Sequence, residues 1–228
     1  MSIIRIAIDG PSGAGKSTLA QAAAAALGCI YVDTGAIYRT IGLHIWKCGA
    51  DPANTEAVAA ELPRLQVELR YENSRQRMFL NGRDVTEEIR LPEVSQYTSS
   101  VSAIPAVRSY LLEMQRELAR THSVVMDGRD IGTVVLPDAE VKIFLTASAQ
   151  ARAHRRMLEL ERRGTPQPYE EVLREIEERD WRDTHRSAAP LQQAADAVLL
   201  DTTTLNFQES LDALLKIVQE RGNVHEAI

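Results

Sequence analysis

A short β-branched run, a glycine-rich turn and an alanine-rich stretch follow one another at the start of this chain. Residues 3–9 favour a strand, and residues from about 16 to 27 favour a helix. Between them stands an ungapped match to the phosphate-binding pattern G-x-x-x-x-G-K-[ST], which leads into Thr18 and comprises Gly10, Pro11, Ser12, Gly13, Ala14, Gly15, Lys16 and Ser17. The order strand, glycine loop, helix predicts an α/β fold.

Each part of this phosphate-binding loop (P-loop) has a chemical reason. Its glycines let backbone N–H groups turn inward around phosphate oxygens, Lys16 can reach the β- and γ-phosphates, and the Ser17 hydroxyl can hold Mg²⁺. A helix that begins at the loop adds the positive end of its dipole. The motif therefore predicts a nucleoside triphosphate site, with Ser17 as the metal ligand, but specifies no reaction.

Four more short apolar runs lie further along the chain, at residues 29–32, 123–126, 141–145 and 197–200. Their apolar residues are consecutive, which is typical of strands buried on both faces. Helical patterns stand between them; one repeats at Val107, Leu111, Met114 and Leu118. This alternation predicts a parallel sheet, five-stranded with residues 3–9, between two layers of helices, with ligands at the carboxyl ends of the strands.

Residues 65–90 interrupt this alternation of strands and helices. Val67, Leu69 and Tyr71 alternate with polar residues, and Asn81-Gly82 is a strong hairpin signal before a further short run. We therefore expect a small antiparallel meander inserted into the parallel domain. Residues 52–63, which precede it, favour a short helix.

The net charge and the cysteine content limit the partners and the cellular compartment that we expect for this protein. The net charge of −6 and pI near 5.5 argue against a nucleic acid or an anionic membrane as the partner. Cys29 and Cys48 have no metal or redox spacing, so we expect them to act as small core hydrophobes in a reducing compartment. The N-terminus does not resemble a signal peptide, and no apolar run is long enough to span a membrane. A cytoplasmic enzyme is the expectation.

Polar side chains follow two of the predicted strands. Asp33, Thr34 and Arg39 come after the second, although this segment taken alone favours a plain helix start with Thr34 as N-cap. Asp127 follows the run at residues 123–126, where a carboxylate would orient hydrated Mg²⁺, with Arg129 and Asp130 just beyond. Together these residues predict a second phosphate site in the same crevice.

Arginines gather again between residues 152 and 186, where lysine is absent. Most are expected in i,i+4 ion pairs on solvated helices. Four residues differ from these surface ion pairs, because their helical spacing places them on one face of a helix: Arg179, Arg182, Asp183 and Arg186. A lid that closes over transferring phosphates would need such a face.

Three classes of P-loop protein are possible at this point. A regulatory GTPase needs a guanine-reading [NT]-K-x-D segment, which this chain lacks. A motor or ABC-type ATPase needs longer machinery than 228 residues provide. The remaining class is a small-molecule phosphotransferase.

Four segments together resemble the bacterial cytidylate (CMP) kinase family: G-P-S-G-A-G-K-S, D-T-G-A-I-Y-R, D-G-R-D-I-G-T-V-V and R-D-W-R-D-T-H-R-S-A-A-P-L. The resemblance implies one P-loop kinase domain over residues 1–228, three-layered α/β/α, with a nucleoside-monophosphate-binding insert at residues 40–105 and a short helical lid at residues 150–166. It also implies transfer of the γ-phosphate of ATP to CMP or dCMP, with Mg²⁺, in pyrimidine nucleotide metabolism.

The resemblance assigns roles residue by residue. Lys16 and Ser17 would serve ATP and Mg²⁺, and the P-loop from Gly10 to Thr18 would hold ATP. The expected substrate contacts are Asp33, Thr34, Arg39 and Arg129 around the phosphate, Ser99, Arg108 and Asp130 on cytosine, Asp183 and Arg179 on the sugar, and Arg186 on the phosphates. The catalytic residues would be Lys16, Asp127, Arg129, Arg179, Arg182 and Arg186.

Two alternatives to a monomeric CMP kinase stay open. One is a kinase of the same type with another acceptor, such as UMP, shikimate or dephospho-coenzyme A. The other is a nucleotide-sensing module that transfers nothing.

Overall fold

The structure, a computed structural model, describes residues 3–72, 75–162 and 164–222. Its central sheet comprises β1 (Arg5–Asp9), β2 (Ile30–Asp33), β6 (Val124–Gly128), β7 (Val141–Thr146) and β8 (Val198–Asp201), numbered along the chain. The strands lie in the order β2-β6-β1-β7-β8, and every neighbouring pair is parallel. The predicted five-stranded parallel sheet is thus confirmed.

Helices cover both faces of this sheet. The first face carries α1 (Lys16–Leu27) and α8 (Phe207–Arg221), and the second carries α2 (Thr34–Lys47) and α5 (Pro105–Thr121). Ile6 and Ile8 pack on the first face and Ala7 on the second, because successive side chains of a strand alternate. Most strand positions between the two layers are therefore apolar, which explains the consecutive apolar runs.

An inserted unit lies between α2 and α5. It contains α3 (Thr55–Glu61), α4 (Pro92–Val101) and an antiparallel sheet of β3 (Val67–Glu72), β4 (Arg75–Leu80) and β5 (Arg83–Asp84). Asn81 and Gly82 both have positive φ, +51° and +78°, as a two-residue hairpin turn requires. The meander and the short helix before it are confirmed. Helix α4 packs so closely on α2 that a Cβ at Gly42 would lie 2.7 Å from Thr98 Oγ1.

The last two helices form a hairpin with a small core of its own. Helices α6 (Ala149–Arg162) and α7 (Tyr169–His185) enclose Ala153, Leu160, Val172 and Ile176. Arg163, part of the arginine-rich stretch, lies outside the described residues. Among the helices of residues 3–72, 75–162 and 164–222, none has the length and apolar character needed to cross a bilayer.

The expectation that both cysteines are core residues was wrong for Cys48, whereas Cys29 packs against the core of the first sheet face. Cys29 is half-buried and Cys48 is exposed at the end of α2. Cys48 follows the last helical residue, where the chain leaves the core through Gly49. A sequence pattern reports the periodicity of a helix but not the point at which its end leaves the core.

Candidate active site

The P-loop passes close to the carboxyl end of β7. Gly10 has φ +150°, and a Cβ there would lie only 1.9 Å from the carbonyl oxygen of Leu145. Gly15, the residue before α1, also has positive φ, +89°. These glycines therefore permit a turn and a close approach that another residue would obstruct. The loop leaves the first N–H groups of α1 without helical partners at the crevice, as an anion site requires.

The side chain of Lys16 is buried beneath this loop. Its Nζ donates to the carbonyl oxygen of Pro11 at 2.6 Å, and only 5% of the residue is exposed. Burial lowers the pKa of Lys16 well below its usual value, and the charge of Arg129 lowers it further, whereas Asp127 raises it. A phosphate near Nζ would favour the charged form in the same way as Asp127.

Ser17 and Asp127 meet across the crevice, where oxygen ligands for a cation were expected. Ser17 Oγ donates to Asp127 Oδ2 at 2.8 Å, and the Tyr31 hydroxyl donates to Oδ1 at 2.9 Å. Burial, and next the charge of Asp33, raise the pKa of Asp127 to about 6. A hydroxyl and a carboxylate suit Mg²⁺, a hard cation that binds oxygen. Sequence reasoning missed Tyr31, whose position inside β2 carried no signal.

Three arginines converge beside this pair: Arg39 of α2, Arg129 after β6, and Arg179 of α7. Arg129 Nε donates to Asp183 Oδ2 at 2.7 Å. Among the described residues, Arg39 and Arg179 form no hydrogen bond with a carboxylate, although they lie near Asp33 and Asp183 respectively. Burial lowers the pKa of Arg179 to about 10, and Arg129 adds to this effect. Uncompensated arginines in a crevice attract an anion.

Asp33 and Thr34 occupy the turn between β2 and α2. Asp33 is the N-cap, since its Oδ1 accepts the N–H of Ala36 at 2.9 Å, so the alternative of Thr34 as N-cap was wrong. Thr34 Oγ1 instead donates to the carbonyl oxygen of Asp127 at 2.7 Å. Two residues of the insert that sequence reasoning missed hold Asp33 as well: Arg90 by an ion pair of 2.8 Å, and Gln76 through the backbone of Asp33.

A second group of predicted residues surrounds Asp130. Its carboxylate is buried and pairs with both Arg108 and Arg186, the latter at 3.2 Å. Arg108 also lies 5.5 Å from the ring centre of Tyr38, as in a cation–π contact. Ser99, half-buried on α4, lines an adjacent cleft of about 300 Å³.

The predicted arginine face of α7 is only partly correct. Arg179 and Asp183 lie near Arg129, but Arg182 is exposed and its Nε donates to the carbonyl oxygen of Glu178 at 3.3 Å. The helix ends at His185, and Arg186 is extended, with ψ 141°. Arg186 therefore reaches Asp130 from beyond the helix, while Arg182 lines the outer cleft beside Ser99.

Asp9 and Arg152 are further residues that sequence reasoning did not select. The Asp9 carboxylate accepts the N–H groups of Ile131 and Gly132, each at 2.7 Å, and burial raises its pKa to about 6. Arg152 forms a two-bonded ion pair with Asp180 and donates to the carbonyl oxygen of Ser12 at 3.0 Å. Asp9 could have been found, since it ends the strand before the P-loop. Arg152 carried no signal to separate it from the other arginines.

Comparison with known proteins agrees with this geometry. The family model described as cytidylate kinase matches residues 6–220. The chain belongs to the cytidylate kinase family. This family confirms the resemblance and the enzyme class that the sequence motifs predicted.

Individual relatives match this chain over nearly its full length. The cytidylate kinase of Caldicellulosiruptor bescii is 49% identical over 217 residues, which cover 95% of this chain and 96% of the relative. That of Carboxydothermus hydrogenoformans is 47% identical over 221 residues, 97% of this chain and 100% of the relative. An uncharacterized protein from Eubacterium ventriosum, 13% identical, superposes over 96% of this chain and 99% of its own with a TM-score of 0.53, which shows a shared fold.

Proposed function

We propose that this protein transfers the γ-phosphoryl group of ATP to CMP or dCMP, with Mg²⁺, and releases ADP and CDP or dCDP. The observation that carries the proposal is the arrangement of the crevice. A P-loop, the Ser17–Asp127 pair and the cluster of Arg39, Arg129 and Arg179 open on the same edge of the sheet. Two phosphate sites side by side suit a donor and an acceptor that both carry phosphate.

Residues of the first site would hold the donor. The backbone N–H groups of the P-loop, all but that of Pro11, which has none, would surround the phosphates, and Lys16 Nζ would exchange the Pro11 carbonyl for a phosphate oxygen. Ser17 would ligate Mg²⁺, and Asp127 would orient its water molecules. When bound, Mg²⁺ neutralises the charge that develops on the phosphate oxygens.

Residues of the second site would place the acceptor. Arg39, Arg129 and Arg179 bind its phosphate, and Asp33 and Thr34 keep the start of α2 in place. No strong base is required, because the attacking phosphate oxygen is already ionised. Catalysis consists of positioning and charge neutralisation in a loose transition state.

We further propose that the α6–α7 hairpin is the lid, with residues 150–166 spanning most of α6 and the start of its connection to α7. Arg152 of α6 donates to the carbonyl oxygen of Ser12 in the P-loop and forms an ion pair with Asp180 of α7. These bonds connect the lid directly to the donor site. Closure would bring Arg186 and Arg179 onto the transferring group and exclude water, which would otherwise accept the phosphate. The enzyme would act as a cytoplasmic monomer on free nucleotides.

We propose that Arg108, Asp130 and Ser99 recognise the cytosine base, as the family resemblance implies. A carboxylate at Asp130 accepts from the exocyclic amino group, and Arg108 donates to the N3 and O2 acceptors of the base. Uracil presents a carbonyl in place of the amino group and an N3–H in place of the N3 acceptor, so the contacts of Asp130 with the amino group and of Arg108 with N3 would be lost. A site built to hydrogen-bond a substrate group can reject an analogue lacking it by about 10⁴.

The test measures kcat/KM with ATP for CMP, dCMP, UMP, shikimate and dephospho-coenzyme A, in the natural protein and in Arg108→Met. We expect the natural protein to prefer CMP, and Arg108→Met to lose most of its CMP rate and its discrimination against UMP together. Arg120→Met is the control, because Arg120 lies on the same helix but is exposed and pairs only with surface glutamates. An unchanged CMP/UMP ratio in Arg108→Met refutes the base assignment; ATP binding without transfer to any of these acceptors supports a nucleotide-sensing module instead.

A further inference from the structure

Three different metal-binding side chains meet at the end of α2 that lies away from the P-loop. His44 Nε2 lies 2.9 Å from Glu61 Oε2 and 3.3 Å from Cys48 Sγ. One ligand atom from each residue lies within 4.8 Å of both others. His44 and Glu61 are half-buried and Cys48 is exposed, so the cluster opens to solvent on one side.

Two helix ends of the fold bring these side chains together. His44 and Cys48 are one turn apart at the end of α2, and the N–H of Cys48 donates to the carbonyl oxygen of His44 at 2.9 Å. Glu61 is the last residue of α3, which the buried side chains of Val58 and Leu62 fix to the core. The carboxyl end of a helix also favours a cation, since its carbonyl groups carry partial negative charge.

Hydrogen bonds within this cluster cannot serve all three side chains at once. A neutral imidazole that carries its proton on Nε2 can donate it to Glu61, but it then offers no acceptor to the Cys48 thiol. With the proton on Nδ1, Nε2 accepts from the thiol but faces the Glu61 carboxylate without a proton between them. Nearby cations do not resolve the conflict: Arg64 bonds Glu61 Oε1 at 2.8 Å, and Lys47 pairs with Glu88.

We propose that His44, Cys48 and Glu61 form a binding site for a zinc-class transition-metal dication, distinct from the Mg²⁺ site of the P-loop. Zinc accepts thiolate, imidazole and carboxylate ligands in a tetrahedral arrangement, and water would complete it on the exposed side. Tetrahedral bonds of about 2.0–2.3 Å require ligand atoms about 3.3–3.6 Å apart. His44 Nε2 would move away from Glu61 and Cys48 by only a few tenths of an ångström, and Cys48 Sγ and Glu61, within 4.8 Å of each other, would approach by at most about 1.2 Å. A thiolate ligand disfavours Mg²⁺ and Ca²⁺.

Binding would exchange a proton for a metal bond. The Cys48 thiol releases its proton to solvent, the thiolate and carboxylate balance the two charges of the metal, and nothing is oxidised or reduced. The metal would join α3 of the insert to α2. Because α2 begins at Thr34 and carries Arg39, the bond would stiffen the support of the acceptor site.

The probe is Co²⁺, titrated into the metal-free reduced protein with saturating Mg²⁺ present to occupy the P-loop site. We expect one equivalent to produce a sulfur-to-cobalt charge-transfer band in the near ultraviolet and intense visible bands of a tetrahedral site, both removed by Zn²⁺. Cys48→Ser should abolish the charge-transfer band. Cys29→Ser, which removes the half-buried cysteine of the other face, should retain it.

The affinity for Zn²⁺ and the thermal stability of the protein provide a second test of the site. Glu61→Gln and His44→Ala should weaken Zn²⁺ binding by at least about 100-fold, because even the loss of an outer partner of a metal ligand costs about 10–100-fold. His122→Ala, which alters an exposed histidine, should change nothing. Zn²⁺ should raise Tm in the natural protein and not in Cys48→Ser, and kinase activity without zinc establishes that each variant is folded. Absence of the band, or its survival in Cys48→Ser, overturns the site.

Discussion

Arg129 Nε donates to Asp183 Oδ2 at 2.7 Å, which joins the segment after β6 to the last turn of α7. Both side chains are largely buried, 18% and 14% exposed. Burial acts to raise the pKa of Asp183, but the charges of Arg129, Arg179 and Arg186 and the hydrogen bond from Arg129 lower it below its usual value. The ion pair therefore limits the repulsion among the arginines of the crevice.

Asp183→Asn should decrease the free energy of unfolding at neutral pH by about 1–3 kcal/mol, less than the about 3–5 kcal/mol for breaking a fully buried pair. A lowered folded-state pKa means that the stabilisation is complete above the ordinary value of 3.8 and is lost as the pH falls through the folded-state value. The gap between the natural protein and the variant should therefore close in acid. Urea unfolding across the range from about pH 7 to about pH 3 measures it. A stability difference that stays constant with pH would contradict an ionic origin of the stabilisation by Asp183.

Arg179 and Arg182 offer a matched comparison, because they lie one turn apart on α7 but only Arg179 lies within the crevice. Arg179→Met should reduce kcat by about 10³ or more, as loss of a transition-state arginine does. Arg182→Met should change kcat by no more than a few-fold, since Arg182 is exposed and, within the described part of the chain, its side chain bonds only to its own helix. Steady-state kinetics with CMP decides between them. Equal losses would move the catalytic role to the outer cleft.

Lys16→Met should reduce kcat/KM for ATP by about 10²–10³, as does removal of one preorganised donor at other active sites. Lys142→Met is the control, because Lys142 is also buried and donates to a backbone carbonyl, that of Pro137, but pairs with Asp196 outside the crevice. We expect it to lower stability and to leave turnover nearly unchanged. Circular dichroism confirms folding of both variants. A Lys16→Met enzyme with normal turnover would remove Lys16 from the donor site.

Asp9→Asn should loosen the segment that carries Arg129 and Asp130, since one amide oxygen replaces two carboxylate oxygens for the N–H groups of Ile131 and Gly132. We expect the free energy of unfolding to decrease by about 1–3 kcal/mol at neutral pH, the cost of leaving a buried donor unsatisfied, and kcat to fall. Asp138→Asn, at an exposed ion pair with Arg5, should have little effect on either.

The stability difference between the natural protein and Asp9→Asn should also depend on pH. Because burial raises the pKa of Asp9 to about 6 from 3.8, its favourable contribution is complete below 3.8 and declines as the pH rises through about 6. The natural protein should therefore gain stability relative to Asp9→Asn on going from about pH 7 to about pH 5, since each pKa unit is worth about 1.4 kcal/mol. Denaturant unfolding at both pH values tests the sign. A gap that shrinks in acid would contradict it.

The strands, α1 and the insert's hairpin could be predicted because consecutive residues encode them. Two helix layers demand unbroken apolar runs in the sheet, and a two-residue turn demands Asn81-Gly82. Residues that directly follow strands were predicted for the same reason. Ser17 and Asp127, 110 positions apart, were expected to meet because the carboxyl ends of parallel strands share one edge.

By itself, then, the sequence determined the sheet, the P-loop and the chemical class of the crevice. Only the tertiary structure decided that Asp9 anchors Ile131, 122 positions away, that Arg152 joins the P-loop to Asp180, and that Arg182 lies outside the cluster. The physical reason is that these contacts depend on strand order and on where α7 ends. Both follow from the packing of distant segments against one another, and a local pattern carries no information about them.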